Sequence, residues 1–227
     1  MKRVVTQELL DEDLGTPEEI RDTLLDLRWF NRHFGGYESM SALLVQVGKG
    51  CGARRISFLD VAGGTGEVAE AVSTRLRAKG LELRSAVLDR AVSHMTSRPT
   101  APNKIAGDAI ALPFANASFD VVGCNLFCHH LEPDDLVAFF NEALRVARLA
   151  VIASDLRRNL FHWVVAYAGK FTYRSRLTRN DAPASVRRAY TVSELQQIAH
   201  RTHAAGSIIQ RYYFQRLGLT LWVRRPA

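Results

Sequence analysis

Apolar positions recur along this chain in two rhythms, and the changes of rhythm mark the elements. Ile20, Leu24, Leu27 and Phe34 fall near every third or fourth residue, the spacing of one buried helix face. Thr16-Pro17-Glu18-Glu19 opens that helix: Thr16 suits the cap, Pro17 the first helical position, and Glu19 completes a capping box. Gly35-Gly36 stops it, a second helical stretch covers 39–47, and Gly48–Gly52 reads as a linker. From 56 to 61 the pattern turns to a short buried strand. Further strands follow at 83–88, 104–107, 119–126 and 149–154, with helical patterns at 67–78 and 134–148 between them. Strands alternating with helices predict a parallel sheet covered on both faces, with ligands at the carboxyl ends of the strands.

Residues 156–192 break the alternation. A helix is expected over 159–170, carrying Phe161, Trp163, Val164 and Tyr167. An arginine-rich loop follows, with Arg174, Arg176, Arg179, Arg187 and Arg188. Thr191-Val192-Ser193-Glu194 is a second capping box, and the β-rich runs 207–214 and 217–223 form a hairpin joined by Gln215-Arg216. The expected organisation is a helical cap over 1–50 and a main domain over 51–227, in which 156–192 is a lid inserted at the rim.

Composition narrows the class only slightly. The 227 residues suffice for one domain with a sizeable core. The longest apolar runs are far short of the ~18 residues of a membrane span, and the first fifteen residues lack the apolar core of a signal peptide. Three cysteines, an odd number, fit a reducing compartment, so the expected location is cytoplasmic. Charge is uneven: residues 157–227 hold 13 Lys+Arg against 2 Asp+Glu, while the rest of the chain is mildly acidic. Such a balance is either a solvated basic face or a site for an anionic substrate, an acidic carrier or nucleic acid.

The candidate chemistry centres on Leu59-Asp60-Val61-Ala62-Gly63-Gly64-Thr65-Gly66, a strand ending in a glycine turn that opens a helix. With Asp89 some twenty residues later, Gly64-Thr65-Gly66-Glu67-Val68-Ala69 also satisfies the nicotinamide-dinucleotide pattern. Asp60 favours a different ligand. A carboxylate just before the glycines disfavours a pyrophosphate and suits an amino-acid ammonium. Gly107-Asp108-Ala109 follows the third strand, where a carboxylate suits an adenine edge, and no Tyr-x-x-x-Lys pair for hydride chemistry is present.

Together with Val87-Leu88-Asp89, Leu112-Pro113-Phe114 and Ser118-Phe119-Asp120-Val121-Val122, these segments resemble class I S-adenosylmethionine-dependent methyltransferases in order and spacing. The turn with Ala62 in place of a glycine looks like that of quinone-biosynthesis C-methyltransferases. Arg28–Gly36 and parts of 155–190 resemble, more loosely, a bacterial subgroup associated with polyketide pathways. The resemblance implies an α/β, Rossmann-like fold: a seven-stranded, mostly parallel sheet with an antiparallel C-terminal hairpin strand and helices on both faces. It also implies S-adenosyl-L-methionine as cofactor and S-adenosyl-L-homocysteine as product. Asp60, Ala62, Gly63, Gly64 and Gly66 would hold the methionine moiety. Asp89, with Arg90 beside it, would hold the ribose, and Asp108 and Ala109 the adenine. Asn125 and Leu126 would border the sulfonium.

A hydroxyl acceptor must also lose its proton. A phenol has a pKa of ~10, which suits a neutral histidine as base, and His129 and His130 stand at the end of the fourth strand. Packing or capping before Glu132-Pro133-Asp134 is the other reading of these two residues. Cys124, Cys128 and the two histidines would approach from one strand end without a partner pair, so no metal is expected. Arg157, Trp163 and Tyr167 in the lid, with Arg28 and His33 at the end of the first long helix, are candidates for acceptor binding. Each has a structural alternative, in packing or at a solvated helix end. The expected reaction is O-methylation of a phenolic or polyketide-like small molecule, aromatic or anionic. C-methylation of a quinone-like ring, RNA methylation and cofactor binding without turnover are the alternatives; no RNA-binding module is visible. Nothing in the sequence fixes an oligomeric state.

Overall fold

The computed structural model describes residues 1–11, 14–92, 95 and 103–224. Helices α1 (Pro17–His33) and α2 (Gly36–Gly50) precede β1 (Arg55–Val61), α3 (Glu67–Arg77), β2 (Glu82–Asp89), β3 (Lys104–Ala106) and β4 (Phe119–Asn125). Then come α4 (Pro133–Val146), β5 (Ala147–Leu156), α5 (Leu160–Ala168), α6 (Arg176–Arg188), α7 (Val192–His200), β6 (Gly206–Tyr212) and β7 (Arg216–Trp222). The strands form one seven-stranded sheet in the order β3-β2-β1-β4-β5-β7-β6. β1 to β5 pair in parallel, and β7 runs antiparallel to both β5 and β6. The expected α/β architecture is therefore the observed one. Strand order reverses between β1 and β4, so the chain parts there and leaves a crevice at the strands' carboxyl ends.

Both faces of the sheet are covered. On one, Leu136, Phe139, Phe140 and Ala143 of α4 and Leu195 and Ile198 of α7 pack on β1, β4, β5 and β7. On the other, Met40, Leu43, Leu44 and Val47 of α2 and Val72 and Leu76 of α3 pack on Ile56, Phe58, Val121 and Ile152. The separate cap expected over 1–50 is thus corrected in its second half: α2 is a core layer of the sheet. Gly48, read as the start of a linker, lies inside α2 and is buried, with the side chain of Leu81 3.3 Å from where its Cβ would be.

The second correction concerns 176–188. Its arginines, Asn180, Asp181 and Pro183 suggest a loop, yet it is helical, with Ser175 accepting the Leu177 amide at its start. Leu177, Ala184 and Val186 are buried, and Asp181 accepts the Leu9 and Leu10 amides of the N-terminal segment. Tertiary burial outweighs poor propensity here, as it does for most short helices. The Thr16 and Thr191 capping boxes both form as expected.

Candidate active site

The crevice is the mouth of a cavity of about 600 Å³. Its floor is the turn after β1. Gly66, with φ +76°, ends the turn and starts α3. A Cβ on Gly63 would stand 2.8 Å from Val87 and 2.9 Å from the Asp60 carboxyl, so only glycine lets the chain pass there. Ala62 holds φ +55°, a left-handed conformation costly for a residue with a Cβ, and Leu126 across the cleft holds the same value.

Asp89 ties the turn to β2. Its Oδ2 accepts the Gly64 amide at 2.7 Å and its Oδ1 the Ala91 amide at 2.8 Å. A carboxylate has about four acceptor sites, so two remain for a ligand. Asp108 accepts the Ile110 amide on Oδ1 at 3.0 Å, which fixes the side chain beside the cavity. Asp60 differs from both. It is 1% exposed, and neither oxygen has a hydrogen-bond partner among the described residues. Burial, with the Asp89 charge nearby, pushes its carboxyl up to about 7. A buried carboxylate facing a cavity without a donor is a site short of a cation. The ammonium of an amino-acid-bearing cofactor meets that need. The residues present therefore fit S-adenosylmethionine. Of the eleven positions expected to hold it, all but Gly66 line the cavity, and Gly66 shapes the turn.

Residues 58–149 match a family model described as a methyltransferase domain. Over these residues the chain is similar to a methyltransferase domain. Solved structures agree in fold. A S-adenosylmethionine-dependent methyltransferase from Aquifex aeolicus aligns over 92% of this chain and 99% of its own, at 13% identity and TM-score 0.59. The plantazolicin methyltransferase BpumL in complex with S-adenosylhomocysteine aligns over 96% and 95%, at 11% identity and TM-score 0.64. Magnesium protoporphyrin IX methyltransferase from Synechocystis PCC 6803, with bound S-adenosylhomocysteine, aligns over 82% and 81%, at 15% identity and TM-score 0.53. Two further matches, from Anabaena variabilis and Nostoc punctiforme, are longer proteins, of which this chain covers 59% and 52%. No curated protein matches the sequence.

The far end of the cavity is assembled from distant segments. His129 is 2% exposed. Its Nδ1 lies 2.7 Å from Asp155 Oδ1, and its amide donates to Asp155 Oδ2 at 3.0 Å. Burial acts to raise the Asp155 carboxyl, but the His129 charge and the hydrogen bonds from His129 and Leu156 hold it below the usual range. Nε2 of His129 is left facing Glu8, 3.7 Å from Oε1. Glu8 is also buried, which lifts its carboxyl to about 7 against the lowering influence of His130, Ser185 and Arg188. His130 is half-buried, with Nδ1 2.7 Å from Asp11 Oδ2.

One ligand atom each from Glu8, His129 and His130 lies within 4.8 Å of the others. The expectation that ligands would come from one strand end alone is thereby corrected: the N-terminal segment supplies a third. Arg188 and Ser185 already contact Glu8, so the cluster has a positive partner of its own.

The acceptor candidates fare less well. Arg28 lines the cavity and lies 3.9 Å from Glu67. His33 is exposed and turned back to the Trp29 carbonyl. Arg157 donates its amide to the Gln215 carbonyl, and Trp163 and Tyr167 stack on each other. None of these four lines the cavity. The lid helix instead turns His162, Val165 and Ala166 inward, followed by Tyr173, so the expected side of α5 is corrected by a helical phase. Burial lowers the His162 pKa and raises that of Tyr173 to about 12.

Arg216, read from the sequence as half of a hairpin turn, begins β7 and is 2% exposed. It donates to the Phe34 carbonyl, to Asn31 and Asn125 at 3.0 Å each, and to Ser154 at 3.4 Å. Burial brings its pKa down to about 10. Arg158 is likewise inside, bonded to Met1, Ala189 and Glu194. Part of the C-terminal positive charge is therefore internal structure.

Proposed function

We propose that the enzyme methylates a hydroxyl of a phenolic or polyketide-like small molecule bound between α1, α5, α6 and the N-terminal segment. The observation that carries this reading is the Asp155–His129 pair at the end of the cavity beyond Leu126. The ionised Asp155 holds the Nδ1 proton, which makes Nε2 the basic nitrogen on the cavity side. Nε2 takes the acceptor's proton, and Asp155 stabilises the imidazolium that results. Glu8, with a carboxyl pushed to about 7, is placed to receive the proton next. The bound donor supplies an electrophilic methyl; the chain supplies alignment and exclusion of water, which together outweigh any single proton transfer. Leu24, Leu27, Phe30, Val165, Val186 and Phe214 give the acceptor region apolar walls, which supports an aromatic guest.

The test is transfer of labelled methyl to a panel of phenols, hydroxyquinones and tRNA. Hydroxyl methylation of a small phenol, lost in His129→Ala while S-adenosylhomocysteine still binds, is the expected result. Ring methylation, or full turnover by His129→Ala, overturns the reading.

A further inference from the structure

The outer side of α5 is left uncovered. Leu160, Phe161, Val164 and Tyr167 share one stripe, which continues to Phe171 in the next turn; these five are 49% to 92% exposed. At the hairpin tip Tyr213 is 69% exposed. Ring contacts make the surface continuous: Phe161 meets Phe214 at 5.9 Å, Phe214 meets Phe34 at 5.4 Å, and Phe34 meets Trp29 at 5.3 Å. Phe34 and Phe214 also line the cavity, so this aromatic surface rims its mouth. Single exposed apolar residues are ordinary, but a connected patch of this kind marks an interaction surface.

Charge indicates what covers it. No Asp or Glu occurs between Asp155 and Asp181, or after Glu194. Arg32, Arg157, Lys170 and Arg211 belong to the segments that carry the patch. Among the described residues none of them has a carboxylate partner. Lys170 lies 4.5 Å over the ring of Tyr167, within the stripe itself. Two copies of this face pressed together would set the same cations against one another. An anionic lipid surface instead accepts both features, apolar side chains at the headgroup boundary and cations at the headgroups. No described helix is long and apolar enough to cross a membrane, so the fit is to a surface.

We propose that this face seats the enzyme on a bilayer containing anionic lipid, with the cavity mouth against the headgroups. The inference stands apart from the identity of the acceptor, and its test needs no turnover. The full chain is sedimented with phosphatidylcholine vesicles, with and without phosphatidylglycerol, at low and high salt. Binding to the phosphatidylglycerol vesicles, weakened by salt, is expected. Phe171→Glu and Lys170→Glu each lower the bound fraction roughly tenfold while S-adenosylhomocysteine binding is unchanged, since both side chains lie outside the cavity. The proposal is overturned by absence of binding to phosphatidylglycerol vesicles, or by equal binding of wild type and Phe171→Glu. A concentration-dependent dimer abolished by Phe171→Glu also overturns it.

Discussion

Three successive strand ends make the part of the cavity that we propose as its donor half, whereas the part proposed for the acceptor is drawn from six separated stretches. β1, β2 and β3 deliver Asp60, Asp89 and Asp108 within fifty residues, and Asp89 and Asp108 brace the turns beside them. Glu8, Thr23, His129, His162, Ser185 and Phe214 reach the other half from segments up to two hundred residues apart. The first half is set by local backbone geometry, with glycines, positive φ and carboxylates accepting nearby amides. The second is set by packing of α1, α5, α6 and the N-terminal segment over the crevice. A local device has a local sequence signature; a packed wall does not.

The sharpest way to separate the halves is to disable one and read the other. His129→Ala is expected to lower turnover roughly 10²–10⁴-fold, the usual worth of a positioned base, with S-adenosylhomocysteine affinity unchanged by calorimetry. Asp89→Ala does the reverse. It removes two charge-assisted acceptors, each worth about 1.5–3 kcal/mol, and frees the Gly64 amide, so S-adenosylhomocysteine affinity falls about a hundredfold or more.

Asp60 gives the donor half a pH signature. Its carboxyl, raised from 3.8 to about 7, keeps its proton in the folded protein while the unfolded chain has released it. Its contribution to stability therefore falls as pH rises from roughly 4 to 7 and is level on either side. Glu8 adds a contribution of the same sign. Asp60→Asn removes the Asp60 part of this slope. Above pH 7 the variant melts higher than wild type, and it binds S-adenosylhomocysteine more weakly. Melting curves at pH 5 and 8 decide the point; an unchanged slope sinks the assignment.

The smallest effects mark the edges of the site. Ala62→Gly relieves a left-handed alanine and is expected to stabilise by about 1 kcal/mol in denaturant titrations. Trp163→Ala, on a side chain outside the cavity, leaves the acceptor KM within about twofold.

Much of the donor half was legible. The turn, Asp89 and Asp108 line the crevice at successive strand ends, and these positions are readable because a strand end and the turn beside it are adjacent in the chain. Asp60 was legible as a position, but its missing partners belong to the folded interior. The lid was misread twice for one reason. A helix with apolar residues on several sides has no unique inward face in sequence, so Trp163 and Tyr167 stood out over His162 and Val165. Pro183 and the polar composition of 176–188 hid a helix that exists because Leu177, Ala184 and Val186 are buried.

The strand–helix alternation, the glycine turn and the two capping boxes can be read from the chain alone. Each follows from periodicity or from residues a few positions apart. Tertiary structure alone decided that α2 belongs to the core and that Asp155 and Glu8 flank His129. It also set Arg216 inside a ring of Phe34, Asn31 and Asn125. These are contacts between segments with no local relation, fixed only when burial of the two apolar faces of the sheet brings the segments together.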